Sequence, residues 1–74
     1  MNKVEIKGAV YSFGMSSAEI EICLKTPEGF HRVMAEMSRE TAQGLSYGRE
    51  IYVRGKLMGS DGKNWIKADV VEFV

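Results

Sequence analysis

The sequence predicts an all-β domain with one short helix, and three observations carry that expectation. Apolar and polar residues alternate with a period of two over most of the chain, three segments have tight-turn chemistry, and only the stretch after the third alternating segment has helix-capping residues. In residues 4–10, Val4, Ile6, Gly8 and Val10 share one face while Lys3, Glu5 and Lys7 alternate with them, as a half-buried strand requires. Gly8 lies inside this strand, where glycine marks a bulge or sharp bend and lets one long strand serve two sheets. The alternation breaks at Tyr11, Ser12 and Phe13, and a turn is expected over residues 14–17.

The second strand is the clearest: Ala18, Ile20, Ile22 and Leu24 face inward and alternate with Glu19, Glu21, Cys23 and Lys25. Thr26, Pro27, Glu28 and Gly29 then form a turn, with proline fixing φ at its second position and glycine closing it, so the second and third strands make a hairpin. In the third strand, residues 30–37, Val33 and Ala35 are the core residues, which puts Phe30, Arg32 and Met34 on the outer surface. Ser38 is placed to cap a helix of about one and a half turns, with Glu40 suited to the positive end of its dipole and Gly44 positioned to end it. Residues 49–57 return to alternation, with Ile51, Val53, Gly55 and Leu57 inward and Tyr52, Arg54 and Lys56 outward. Gly59, Ser60, Asp61 and Gly62 make a second hairpin turn, and the last strand places Ile66, Ala68 and Val70 inward with Trp65, Lys67 and Asp69 outward.

Three strands, a short helix and two more strands, the first of them long and broken by glycine, is the order of a five-stranded Greek-key OB-fold barrel. In that barrel the helix between strands 3 and 4 plugs one end. An SH3-like barrel would not carry its only helix there. A chain of 74 residues has room for one core, so residues 1–74 are expected to form a single OB-fold domain.

Ten Lys and Arg balance ten Asp and Glu, which argues against nucleic-acid binding by bulk charge but leaves room for a local basic stripe. The sequence has neither an apolar run of membrane-spanning length nor a signal-peptide pattern, so a cytoplasmic location and no membrane partner are expected. Cys23 has no partner in the chain for a disulfide, and one Cys with one His makes no zinc site, so neither metal nor cofactor is expected.

Four segments carry a family resemblance. Met1-Asn2-Lys3-Val4-Glu5-Ile6-Lys7-Gly8 resembles the first strand of bacterial single-stranded DNA-binding proteins, and Phe30-His31-Arg32-Val33 is similar to that family's Trp-His-Arg-Val segment. Ile51-Tyr52-Val53-Arg54-Gly55-Lys56-Leu57 resembles its Val-Tyr-Val-Glu-Gly-Arg-Leu strand. Asp61-Gly62-Lys63 with Ala68-Asp69-Val70-Val71-Glu72-Phe73 resembles its closing hairpin and last strand. The resemblance implies an OB barrel acting in replication, recombination or repair. The family's long loops are absent, as is the acidic tail through which members recruit partners, which implies a short form of phage, mobile-element or primosomal kind.

The residues make a case for strand binding without the family. Single-stranded nucleic acid is held by aromatic rings that stack on bases and by cations that follow the phosphates. The outward phase carries Phe30, Tyr52 and Trp65 for stacking, with Arg32, Arg54, Lys56 and Lys67 for phosphates. Tyr11 and Phe13 add to the surface near the first turn. Outward Glu19, Glu21, Glu36 and Asp69 would repel phosphate, so they should occupy another part of the barrel. Tyr47, His31 and Phe73 are expected to pack structurally.

Catalysis is not expected, because His31 has no carboxylate at a spacing that a strand would bring beside it, and no glycine-rich phosphate loop is present. The expected function is low-specificity binding of single-stranded DNA by a homodimer or homotetramer, with RNA left open. The alternative is an OB-fold interaction or oligomerisation subunit whose outward aromatics lie in a protein interface.

Overall fold

The computed structural model describes residues 2–16, 19–60 and 62–74; Ser17, expected in the first turn, the expected inward Ala18 and the turn residue Asp61 lie outside them. The described residues form β1 (Lys3–Ser16), β2 (Glu19–Thr26), β3 (Gly29–Glu36), α1 (Arg39–Ala42), β4 (Glu50–Ser60) and β5 (Lys63–Phe73). The strands close into a barrel in the order β1-β2-β3-β5-β4.

One strand is shared by two neighbours, as Gly8 suggested. Residues Lys3 to Ala9 of β1 pair with β4, and Ala9 to Ser16 pair with β2, both antiparallel. At the changeover a side chain on Gly8 would lie 2.9 Å from the Lys25 carbonyl oxygen, so only glycine allows β1 to pass this close to the end of β2. Closure between β3 and β5 is parallel and short, with Val33 opposite Ile66 and Met34 opposite Lys67.

Two bulges correct the simple alternation. Between Val10 and Ser12 the β1–β2 register slips by one residue, leaving Tyr11 unpaired and bringing Phe13 opposite the buried Ile22. Strand β1 therefore runs through Gly14, where a turn was expected, and Gly14 pairs with Glu21. A second slip sets Arg54 opposite Val70 but Gly55 opposite Ala68, so Asp69 is the extra residue. Beyond it Val71 and Phe73 pack on the core, and Val70, expected inward, does not join them. The last hairpin is also tighter than expected, since Gly59 and Ser60 belong to the β4–β5 ladder opposite Asn64 and Lys63.

The barrel is filled by aliphatic side chains from the predicted inward phases. Val10, Ile20, Ile22, Leu24, Val33, Ile51 and Val53 are fully buried, each contributing about 1.5–3 kcal/mol of apolar transfer energy. Helix α1 closes one end with Ala42, followed by the buried Leu45. Ser38 caps it as expected, its Oγ accepting the Thr41 N–H at 3.1 Å. The helix is a single turn, shorter than the sequence suggested. At the opposite mouth Leu57, expected inward, is 38% exposed.

Candidate nucleic-acid interface

Strand pairing arranges the outward side chains of β1, β2 and β3 in rows. Ala9, Lys25 and Phe30 stand abreast, Ser12, Cys23 and Arg32 form the next row, and Gly14, Glu21 and Met34 the third, followed by Glu19 beside Glu36. The face therefore grades from a cationic, aromatic end to an acidic one. The expectation that Glu19, Glu21, Glu36 and Asp69 lie elsewhere fails in part. Glu19, Glu36 and Asp69 gather at the far end of this side of the barrel, where with Met34, Lys67 and Ala68 they line a groove of about 310 Å³, whereas Glu21 lies within the face, paired with Arg32.

The bulge at Tyr11 gives the cationic end its main feature. The Tyr11 ring meets Phe30 edge-on across β2, with centroids 4.9 Å apart and planes at 65°. The two rings are 59% and 58% exposed, so the pair presents free ring surface to a stacking partner. Lys25 stands in the same row as Phe30 and makes no ion pair among the described residues. Arg32 donates from Nε to the Glu21 carboxylate. Because both side chains are largely exposed, that pair is worth at most about 1 kcal/mol, and Arg32 can exchange the carboxylate for a phosphate. Between the rows lies a groove of about 440 Å³ lined by Ser12, Phe13, Gly14, Glu21, Cys23 and Arg32. A second aromatic pair adjoins it, Tyr47 packing on Phe13 at 5.4 Å, although Tyr47 itself is 76% exposed.

The predicted site residues divide between this face and the rest of the barrel. Phe30 and Arg32 lie on it. Trp65 is on the adjacent β5, half-buried, one residue before the Val33–Ile66 pairing just as Arg32 is on β3, so the two flank the same seam. Lys67 and Lys56 face each other across β5 and β4, joined to the seam through Met34. Tyr52 and Arg54 are not brought to it. Tyr52 sits between Lys7 and Glu72, six residues along β4 from Met58, the partner of Trp65, or about 20 Å at ~3.3 Å per residue. Its surroundings mix both signs of charge, with Glu5 and Glu72 near it as well as Lys7 and Arg54. A hydrogen bond to the Glu5 carboxylate, then partial burial and the charge of Glu5, raise its phenol above the usual value, while Arg54 pulls it down.

Lys25 was not among the site residues expected from sequence, and Tyr11 was expected only as an addition to the surface near the first turn, not as a main stacking residue. The signal for Tyr11 was the break in alternation, and that for Lys25 was the tight turn that sets it opposite Phe30. His31 is half-buried and its Nε2 lies 3.0 Å from Thr26 Oγ1, a hydroxyl that also accepts the Glu28 N–H within the turn. Among the described residues no group of three His, Cys, Asp or Glu side chains is placed to hold a metal, and no helix is long and apolar enough to cross a membrane.

No protein-family model and no curated protein sequence matches this chain. Solved structures do match it in shape. The Stn1–Ten1 complex of S. pombe superposes with a TM-score of 0.84 at 15% identity, over 100% of this chain and 59% of that one. A replication protein A heterotrimer bound to ssDNA gives 0.85 at 12%, over 100% and 58%. An OBody bound to hen egg-white lysozyme gives 0.80 at 18%, over 97% and 78%. The chain thus spans somewhat under three-fifths of the first two proteins it matches. The closed five-stranded order, the helix between β3 and β4 and these likenesses together establish that the chain has the OB fold.

Proposed function

We propose that this protein binds single-stranded DNA with little sequence preference on the outer face of β1, β2 and β3. The observation that carries the reading is the open Tyr11–Phe30 pair beside Lys25 and Arg32. Base–aromatic stacking contributes about 1–3 kcal/mol per base and works for every base, while nearby cations hold the phosphates. Tyr11 and Phe30 stack, Lys25 and Arg32 meet the backbone, and Trp65 receives the strand where it passes from β3 to β5. Two likenesses support this: the barrel of a replication protein A heterotrimer bound to ssDNA, and the sequence resemblance to bacterial single-stranded DNA-binding proteins. The acids at the far end of the face direct the strand across the β-strands rather than along them.

Titrating the intrinsic fluorescence of Trp65 with oligo(dT) tests the proposal. Quenching at micromolar DNA in low salt is expected, weakening as salt rises; an unchanged signal in low salt would refute strand binding at this seam. The protein-partner alternative draws on the exposed Tyr11, Met15 and Phe30, and on the lysozyme-bound OBody as a barrel of this shape that holds a protein. It predicts no oligo(dT) binding at any salt concentration.

A further inference from the structure

Outside the aromatic face, one row of the barrel has a single sign of charge. Lys3 of β1 is opposite Lys56 of β4, which is opposite Lys67 of β5. At about 4.8 Å between strands, the three residues span roughly 10 Å. Like charges directly opposite one another in a sheet destabilise it, so the row has an electrostatic cost in the free protein. All three residues are exposed, and none makes an ion pair among the described residues. Lys67 also lines the acidic groove with Glu19, Glu36 and Asp69, but no carboxylate among the described residues pairs with any of the three ammonium groups. Glu5, two residues from Lys3, is opposite Arg54 on β4, and Asp69, two residues from Lys67, is the bulged residue that lines the acidic groove. Beside the row is a shallow groove of about 270 Å³ lined by Asn2, Lys3, Lys56, Leu57 and Met58, with no aromatic ring on which a base could stack.

We propose that Lys3, Lys56 and Lys67 form a second track that takes the sugar–phosphate backbone of the single strand after it leaves the aromatic face, so that the strand wraps round the barrel. The inference rests on the strand-binding reading above. Lys67 is opposite Met34 on β3, so the row begins at the seam flanked by Arg32 and Trp65 and leads away over β5 and β4 to the first half of β1. A bound backbone relieves the repulsion among the ammonium groups, and a track of this kind contacts phosphates but not bases. Lys3, which lay outside the expected site, becomes its end.

The test compares oligo(dT) of about 4 and about 16 nucleotides, the range covered by one OB barrel, on the wild-type protein and on the triple variant Lys3→Gln, Lys56→Gln, Lys67→Gln. Three lost phosphate contacts should make the log–log salt dependence of the longer strand shallower by about 2, at roughly 0.7 per contact on single strands, with the shorter strand much less affected. The melting temperature of the free variant should be no lower than wild type, because repulsion has been removed. An unchanged slope for the longer strand overturns the proposal, including the case where the variant loses only its affinity for inorganic polyphosphate. An equal loss on both lengths also overturns it, by placing the lysines within the aromatic site. Failure of the wild-type protein to bind either oligonucleotide is a different result and refutes the strand-binding reading itself.

Discussion

Replacing Tyr11 and Phe30 together by alanine is expected to remove most of the affinity for oligo(dT) while leaving the barrel folded. If the pair offers one platform to a single base, the loss is about 1–3 kcal/mol; if each ring carries its own base, it is about twice that. The first case is a five- to roughly 150-fold weakening, and the second approaches complete loss at micromolar protein. Because the rings meet edge-on at 4.9 Å, the double variant also loses a contact worth about 0.5–1.5 kcal/mol, so a modest fall in melting temperature should accompany the lost binding. Equilibrium titration of the variant by anisotropy of labelled oligo(dT), alongside its thermal melt, separates the two effects. Wild-type affinity in a folded variant would remove these residues from the site. The same substitution at Tyr52, which lies among Lys7, Glu5 and Glu72, is expected to change affinity little.

Ile22→Ala is expected to have the largest effect on stability. Ile22 is fully buried at the middle of β2, between Phe13 on β1 and Val33 on β3. Removing its outer carbons costs about 2–5 kcal/mol, from lost transfer energy together with the cavity left in a core that cannot collapse around it. A domain of this size has a net stability of roughly 4–11 kcal/mol, so the substitution takes a large share and lowers the melting temperature by about 4–8 °C per kcal/mol. Ile22→Val should cost only about 0.5–1.5 kcal/mol. A thermal melt in which the alanine variant matches the valine variant would show that the barrel interior is not packed around β2 as described.

The fold was legible because the inward residues of β2, β3 and β4 keep a strict period of two between well-marked turns. Ile20, Ile22, Leu24, Val33, Ile51 and Val53 are buried as their positions predict. Strands with bulges were less legible. One unpaired residue reverses the facing of everything after it, so Tyr11 turns Phe13 inward and Asp69 substitutes Val71 and Phe73 for Val70. Nothing local distinguishes a bulged residue from an ordinary outward one, and only pairing with a partner strand reveals it.

The site was legible residue by residue but not as an arrangement. Phe30, Trp65 and Tyr52 all point outward as their phase requires, yet the barrel has a circumference, and the register of β3 against β5 decides which of them meet. That register comes from a parallel pairing closed through a helix and an intervening strand, beyond the reach of any turn. The Lys25–Phe30 row, by contrast, follows from a turn in which Thr26 pairs with Gly29. The zero net charge proves to be an average over separated regions: lysines abreast on β1, β4 and β5, and carboxylates gathered at one end of β2 and β3.

The central claim is that single-stranded DNA lies across β1, β2 and β3 at the Tyr11–Phe30 end, and amide chemical-shift mapping of the ¹⁵N-labelled protein with oligo(dT) tests it most directly. The largest perturbations are expected at Tyr11, Ser12, Cys23, Lys25, Phe30 and Arg32, continuing to Trp65 on β5, with little change at Glu19 and Glu36. Perturbations centred on Tyr52 and Glu72, or none at saturating DNA, would contradict it.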